Sequence, residues 1–134
     1  MGLTFVDSGV LIAASRGVGE LGSRALAVLD DPARTFASSV FVRLEVLPKP
    51  LFHKRADEVE FYRSFFAAAS KWAEPLDAVV RRAYAEGVKN GLSAIDALHV
   101  AAAMIVGADE LITAERATSP LCRVKSLLVR SIRS

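Results

Sequence analysis

Residues 91–115 read GLSAIDALHVAAAMIVGADELITAE. Ser93 precedes a stretch, Ala94 to Val106, that has no glycine or proline and is mostly Ala, Leu, Ile, Val and Met. Such a stretch predicts a helix that is apolar nearly all round and therefore covered on most sides. The Ser93 hydroxyl is placed to cap it by accepting from a free N–H of the first turn. After a turn at Gly107, Glu110 to Thr113 reads as a short buried strand. Two carboxylates mark the unit: Asp96, just inside the helix start, and Glu115, just past the strand end. An acid in the first turn is favoured by the helix N-terminus alone, so Asp96 points to chemistry only if the fold brings other acids to it.

Two upstream stretches supply candidates. LTFVDSGVLIAA (3–14) opens as an apolar strand, Leu3 to Val6, and places Asp7 at its C-terminal end, where open parallel sheets build their sites. The alternative role for Asp7 is to cap a helix beginning near Val10. SSVFVRLEVLPK (38–49) sets Glu45 among apolar residues on a helix that Ser38 or Ser39 caps and that Pro48 and Pro50 break.

The blocks VDSGVLIAA, SSVFVRLEV, LSAIDALHVAAA and ELITAE, in this order, resemble those of PIN-domain nucleases, and most closely the VapC toxins of VapBC toxin–antitoxin pairs. The resemblance spans nearly the whole chain, and the block around Asp96, Ala97 and Leu98 is its most specific part. It implies a PIN-like three-layer α/β fold with a mainly parallel central sheet flanked by helices. By the same resemblance Asp7, Glu45 and Asp96 are the main metal-binding, catalytic acids. Thr113 and Glu115 match the family's Thr-x-Asp block, with Glu where Asp is usual: Thr113 supports, and Glu115 helps hold a second ion or its waters. Gly9 stands where the family often has Asn or Ser. Single-stranded or looped RNA as substrate, an antitoxin partner and a homodimer are further implications of the resemblance.

The residues themselves are compatible with that chemistry. Hydrolysis of a phosphodiester needs charge stabilised on attacking and leaving oxygens, which Mg²⁺ or Mn²⁺ can supply. These hard cations take carboxylate and water oxygens. The chain has a single cysteine, Cys122, two histidines and no Cys/His spacing of a zinc site. His99, one helical turn after Asp96, reads as a packed, locally hydrogen-bonded residue. Ser8 and Ser93 lack a base partner for nucleophilic catalysis. Asp30 and Asp31, between a helix end and Pro32, read as a solvated loop. The competing reading is a non-catalytic PIN-like RNA- or protein-binding module. A receiver-like phosphoacceptor fits less well, because an early acid pair and a late lysine are missing.

A length of 134 residues fits one domain over 1–134. No apolar run reaches the roughly 18 residues of a membrane span, and no basic segment precedes the first apolar stretch as in a signal peptide. With one cysteine, the chain suits a reducing cytoplasm. The net charge of +2 is mild, but its distribution is uneven. Arg116, Arg123, Lys125, Arg130 and Arg133 follow Glu115 with no acid among them, and Lys49, Lys54 and Arg55 form a second basic group. Both groups are expected to help hold RNA, the first alternatively an acidic antitoxin segment. Aromatic spacing over Val59 to Ala69 predicts a helix whose Phe61, Phe65 and Phe66 contribute core or dimer contacts. A further helix is expected from an Asp77 cap to Val88, apolar at Val80, Ala83 and Tyr84, and ending at Gly91. Short strands are expected at Thr35 to Ala37, at Trp72 to Glu74 and within Arg123 to Val129.

Overall fold

The computed structural model describes residues 2–133. Five strands form one sheet in the order β3-β2-β1-β4-β5, with every neighbouring pair parallel. In chain order the elements are β1 (Gly2–Val6), α1 (Ser8–Arg16), α2 (Gly19–Leu29), β2 (Arg34–Ser38), α3 (Val40–Val46), α4 (Pro48–Phe52), α5 (Ala56–Ala68), β3 (Lys71–Trp72), α6 (Leu76–Asn90), α7 (Ala94–Ile105), β4 (Glu110–Thr113) and β5 (Val129–Ser131). A short 3₁₀ turn, Pro120–Arg123, precedes β5. The expected three-layer α/β arrangement with a parallel sheet is therefore the observed one.

The central strands are apolar for a physical reason. β1 lies between β2 and β4, with helices on both faces, so both sides of its pleat are buried. Phe5, Val6, Leu111 and Ile112 are fully or almost fully buried. Helix α7 carries Ala97 and the run Val100 to Ala103 into the same core. Strand order reverses at β1: β2 and β3 build outward on one side, β4 and β5 on the other. The crevice at the C-terminal ends of β1 and β4 is thus the switch point at which doubly wound sheets place ligands.

Local rules set most boundaries. Ser93 accepts from the Asp96 N–H (3.3 Å) and caps α7, and Ser39 accepts from the Val42 N–H (3.4 Å) and caps α3. Gly91 ends α6 at φ +66°, the left-handed geometry that glycine adopts without steric cost. Several expectations are corrected. Asp77 does not cap α6. Pro75 holds the N-cap position, and Asp77 lies in the first turn paired with Arg81 (3.0 Å). Pro48 ends α3 but starts α4 at a position where a missing N–H costs nothing. Helix α5 begins at Ala56, three residues before the expected start at Val59. The last strand lies at Val129–Ser131, and β3 at Lys71–Trp72. Asp31 is a turn residue as expected, accepting from the Ala33 N–H and from Arg34.

The acids at the other end of the sheet are structural. Glu110 accepts from Thr4 (2.9 Å) and is held by Arg34 (3.0 Å) and Arg130 (3.4 Å). Among the described residues no helix is long and apolar enough to cross a membrane.

Candidate active site at the strand ends

Asp7 is the first residue beyond β1, and the sheet itself fixes it: its N–H donates to the Ile112 carbonyl of β4 (3.0 Å). The residue is 6 % exposed. One carboxylate oxygen, Oδ1, accepts from the Val10 N–H (3.1 Å) and the Ala114 N–H (3.4 Å). The other, Oδ2, accepts from the Thr113 hydroxyl. Asp7 is therefore a helix cap and also the residue that ties the ends of β1 and β4 together. Burial pushes its carboxyl above the usual range, opposed by the hydrogen bonds from Thr113, Val10 and Ala114 and by the nearby His99.

Glu45 reaches the same place from the other side. It accepts at Oε1 from the Ser8 hydroxyl and from Nε2 of His99 (2.7 Å). The bond from His99 holds the Glu45 carboxyl below its ordinary range; partial burial opposes this and Ser8 assists it. Its side chain is 34 % exposed and that of His99 3 %. Because an ionised Glu45 can only accept, the bonded tautomer of His99 carries its proton on Nε2. Nδ1 of His99 and Oγ of Ser38 are the two buried side-chain polar atoms without a partner among the described residues. Unsatisfied buried polar groups are rare and concentrate where function demands them.

Asp96 lies in the first turn of α7, half-buried, one turn before His99 and on the same helix face. Its carboxylate makes no hydrogen bond or ion pair among the described residues, which leaves its oxygens open to a ligand. Glu115 is exposed at the rim. Its N–H donates to the Thr113 hydroxyl (2.9 Å), so Thr113 supports both Asp7 and the segment carrying Glu115.

The structure thus links Asp7, Thr113 and the Glu115 backbone directly, and joins Glu45 to Ser8, the residue after Asp7. Two participants were not legible as such. His99 was expected to bond locally, yet its partner is Glu45, 54 positions away; its placement three residues after Asp96 was the available signal. Ser8, with no base to activate it, orients Glu45 instead. Gly9 has a steric reason: a Cβ there would lie 2.9 Å from Cβ of Ala114, so glycine lets α1 close against the end of β4.

The donor set agrees in kind with a hard divalent cation, since Asp7, Glu45, Asp96, Glu115 and Thr113 offer only oxygen. Among the described residues, no three Asp, Glu, His or Cys side chains are gathered tightly enough to grip one ion as they stand. Two of the acids are engaged by protein donors: Thr113 holds Asp7, while Ser8 and His99 hold Oε1 of Glu45.

Not all basic residues serve this end of the sheet. Arg130 is engaged by Glu110, whereas Arg116 and Arg133 line a cleft with Glu115. A second cleft extends from Glu45 past Arg16, Lys49, His53 and Arg55.

The family model of the PIN domain matches residues 4–124. No curated protein sequence matches significantly. Among solved structures, the chain is similar to VapBC2 from Rickettsia felis bound to a DNA fragment from its promoter. That match has a TM-score of 0.70 at 15 % identity, over 96 % of this chain and 98 % of the other. A toxin–antitoxin complex from Klebsiella pneumoniae matches with a TM-score of 0.68 at 19 % identity, over 93 % and 95 %. The DNA-bound VapBC from Salmonella typhimurium matches with a TM-score of 0.68 at 14 % identity, over 98 % and 99 %. At these identities the likeness is one of fold.

Proposed function

The chain belongs to the PIN-domain family, and from that premise we propose that it is a metal-dependent ribonuclease, the toxin of a VapBC-type toxin–antitoxin pair acting in the cytoplasm. The observation that carries this reading is the buried Asp7 carboxylate, bonded to Thr113 across the two strands at which the sheet order reverses. Ser39 caps α3 from an equally buried position with an uncharged hydroxyl, whereas a carboxylate buried at Asp7 carries a desolvation cost that a cap alone does not require. The kinship in fold to toxin–antitoxin complexes supports an antitoxin as partner.

Asp7 and Asp96 would be the principal ligands of Mg²⁺ or Mn²⁺, with Glu45 sharing through water and Glu115 steadying a second ion or its waters. Such an ion, when bound, supplies charge neutralisation and Lewis-acid polarisation at the phosphodiester. The chain's own residues set the stage. Thr113 fixes the orientation of Asp7, Ser8 and His99 hold Oε1 of Glu45, and Oε2 remains free to accept a proton or orient water. Purified protein should cleave single-stranded RNA with Mg²⁺ or Mn²⁺, but not in EDTA and not after Asp96→Asn. Cleavage in EDTA, or cleavage undiminished by Asp96→Asn, overturns the reading. RNA binding without cleavage in any divalent metal would favour the binding-module alternative.

We further propose a homodimer, through a different surface from the expected phenylalanines. Phe66 is buried, and Phe61 and Phe65 are half-buried, Phe65 packing edge-on to Phe36 (5.6 Å). A regular row of exposed apolar residues lies instead on α6, where Leu76, Val80, Tyr84 and Val88 recur every four residues and are 45 %, 51 %, 78 % and 74 % exposed. Val80, Tyr84 and Val88 border a 470 Å³ apolar groove shared with Phe41 and Leu98. Exposed apolar surface of this kind marks association. Light scattering should give twice the chain mass, falling to one chain for Tyr84→Lys with Val88→Lys; a monomeric parent at high concentration contradicts it.

A further inference from the structure

Two polar clefts flank the site, and the strand order places them on opposite sides of Asp7. Glu45 follows β2, to one side of β1; Glu115 and Arg133 follow β4 and β5, to the other. The first cleft, 290 Å³, is walled by α1, α4 and α5 and carries Arg16, Lys49, His53 and Arg55 beside Glu45. The second, 300 Å³, carries Arg116 and Arg133 beside Glu115. From the end of β2 to the end of β5 is three strand spacings, about 14 Å.

The charges in these clefts are available. Arg24, Arg34, Arg81, Arg82 and Arg130 are each held by a carboxylate, but Arg16, Lys49, Arg55 and Arg116 form no ion pair among the described residues. Glu58, the other acid in the first cleft, accepts from the Tyr62 hydroxyl (2.7 Å), which in turn shares a hydrogen bond with Ser15 (3.1 Å). The second cleft is narrowed by Arg133 itself, whose Nε donates to the Ala114 carbonyl and sets its guanidinium next to the rim.

We propose that the two clefts form one track for a single-stranded RNA backbone. Arg16, Lys49 and Arg55 take phosphates on one side of the scissile bond, and Arg116 and Arg133 take phosphates on the other, one cation to each. This rests on the nuclease reading for the position of the scissile phosphate. The arrangement has a chemical logic: a site made only of carboxylates repels a polyanion everywhere except at its cations. Cationic flanks therefore hold the strand while the centre remains acidic.

The test is binding of a fluorescein-labelled single-stranded RNA oligonucleotide, followed by anisotropy across a salt series. It uses the Asp96→Asn protein with Mg²⁺, a gel confirming that the strand stays intact. Arg16→Ala with Arg55→Ala should weaken binding about 10-fold or more at low salt. The slope of log K against log salt should become shallower by about 1.4, which is about 0.7 for each phosphate no longer neutralised. Arg116→Ala with Arg133→Ala should do the same. Arg116→Ala alone, which spares the bond from Arg133 to Ala114, should show about half of that change in slope. Arg63→Ala with Lys89→Ala, outside both clefts, should leave affinity within about twofold. Parent-like affinity and slope in either cleft variant overturns the track. So does a variant that keeps RNA binding but loses binding to poly-glutamate, which would mark that cleft as a seat for an acidic protein segment. Cleavage by otherwise unmodified protein, assayed in parallel, separates the two readings. RNA held through both clefts but never cut sinks the nuclease and spares the track. Normal cutting by both cleft variants sinks the track and spares the nuclease.

Discussion

Asp7→Asn is expected to abolish cleavage while stabilising the metal-free protein at neutral pH. The carboxyl of Asp7 is pushed up by burial. Its folded-state pKa thus lies above the unfolded value, and the folded apo protein binds more protons in that interval. Its contribution to stability is fully present below the unfolded pKa and is lost as pH rises through the folded one. At neutral pH a buried, ionised Asp7 therefore costs stability, and asparagine removes that cost at nearly constant shape. Oδ1 of asparagine can still accept from Val10 and Ala114, and the Thr113 hydroxyl can turn to accept from the new amide. The gain should be on the order of 1 kcal/mol. The variant also lacks a metal ligand, so Mg²⁺ should raise its melting temperature less than the parent's. Thermal unfolding of both proteins in EDTA and in Mg²⁺, from acid to neutral pH, measures each part. A clearly destabilised apo variant with an undiminished Mg²⁺ shift would make Asp7 a cap and nothing more.

The second large effect belongs to His99. Its Nε2 is the strongest influence on the Glu45 carboxyl, which it holds below the ordinary range. For a lowered carboxyl the sign is the reverse of that for Asp7: the stabilisation is present above the unfolded pKa and is lost as pH falls through the folded one. His99→Phe keeps a ring against Phe5, whose centroid lies 6.1 Å from that of His99, but removes the donor. Glu45 is then held by Ser8 alone. Losing a group that orients a ligand typically costs about 10- to 100-fold in metal affinity or activity. Calorimetric titration with Mn²⁺ should show that loss for His99→Phe and partial recovery for His99→Gln, whose amide can donate. The extra stability above the Glu45 pKa should disappear with the donor. Equal Mn²⁺ affinity in parent, Phe and Gln proteins would leave His99 a packing residue.

Much of this molecule is legible in its chain, and the exceptions have physical causes. β1 and β4 are readable because a strand buried on both faces is a largely apolar run, whereas β2, RTFAS, shows only its short apolar centre. The helix around Ala97 to Ala103 is readable because it must be covered on most sides. Asp7 and Thr113 can be placed at strand ends, but not joined: their bond spans 106 positions and exists because β1 and β4 are neighbours. Of the expected apolar face of α6, Ala83 is buried, but Val80 and Tyr84 are exposed and Val79 is buried in their place. Val79 and Ala83, or Val80 and Tyr84, each satisfy helical spacing, and packing on α7 alone decides for the first pair. Glu86, buried on that face, is likewise explained only in three dimensions, by Asn90 (3.1 Å), Arg82 (3.4 Å) and Ser126 (3.5 Å). The two carboxyls are also set apart only by the fold: burial raises that of Asp7, whereas the histidine donor beside Glu45 lowers that one.

The most direct measurement is anomalous diffraction from crystals grown with Mn²⁺. The account predicts an ion at the C-terminal ends of β1 and β4, ligated by Asp7 and Asp96, with Glu45 directly or through water and Glu115 near any second ion. Crystals of folded protein with no manganese at that position, or with manganese bound only elsewhere, would contradict it.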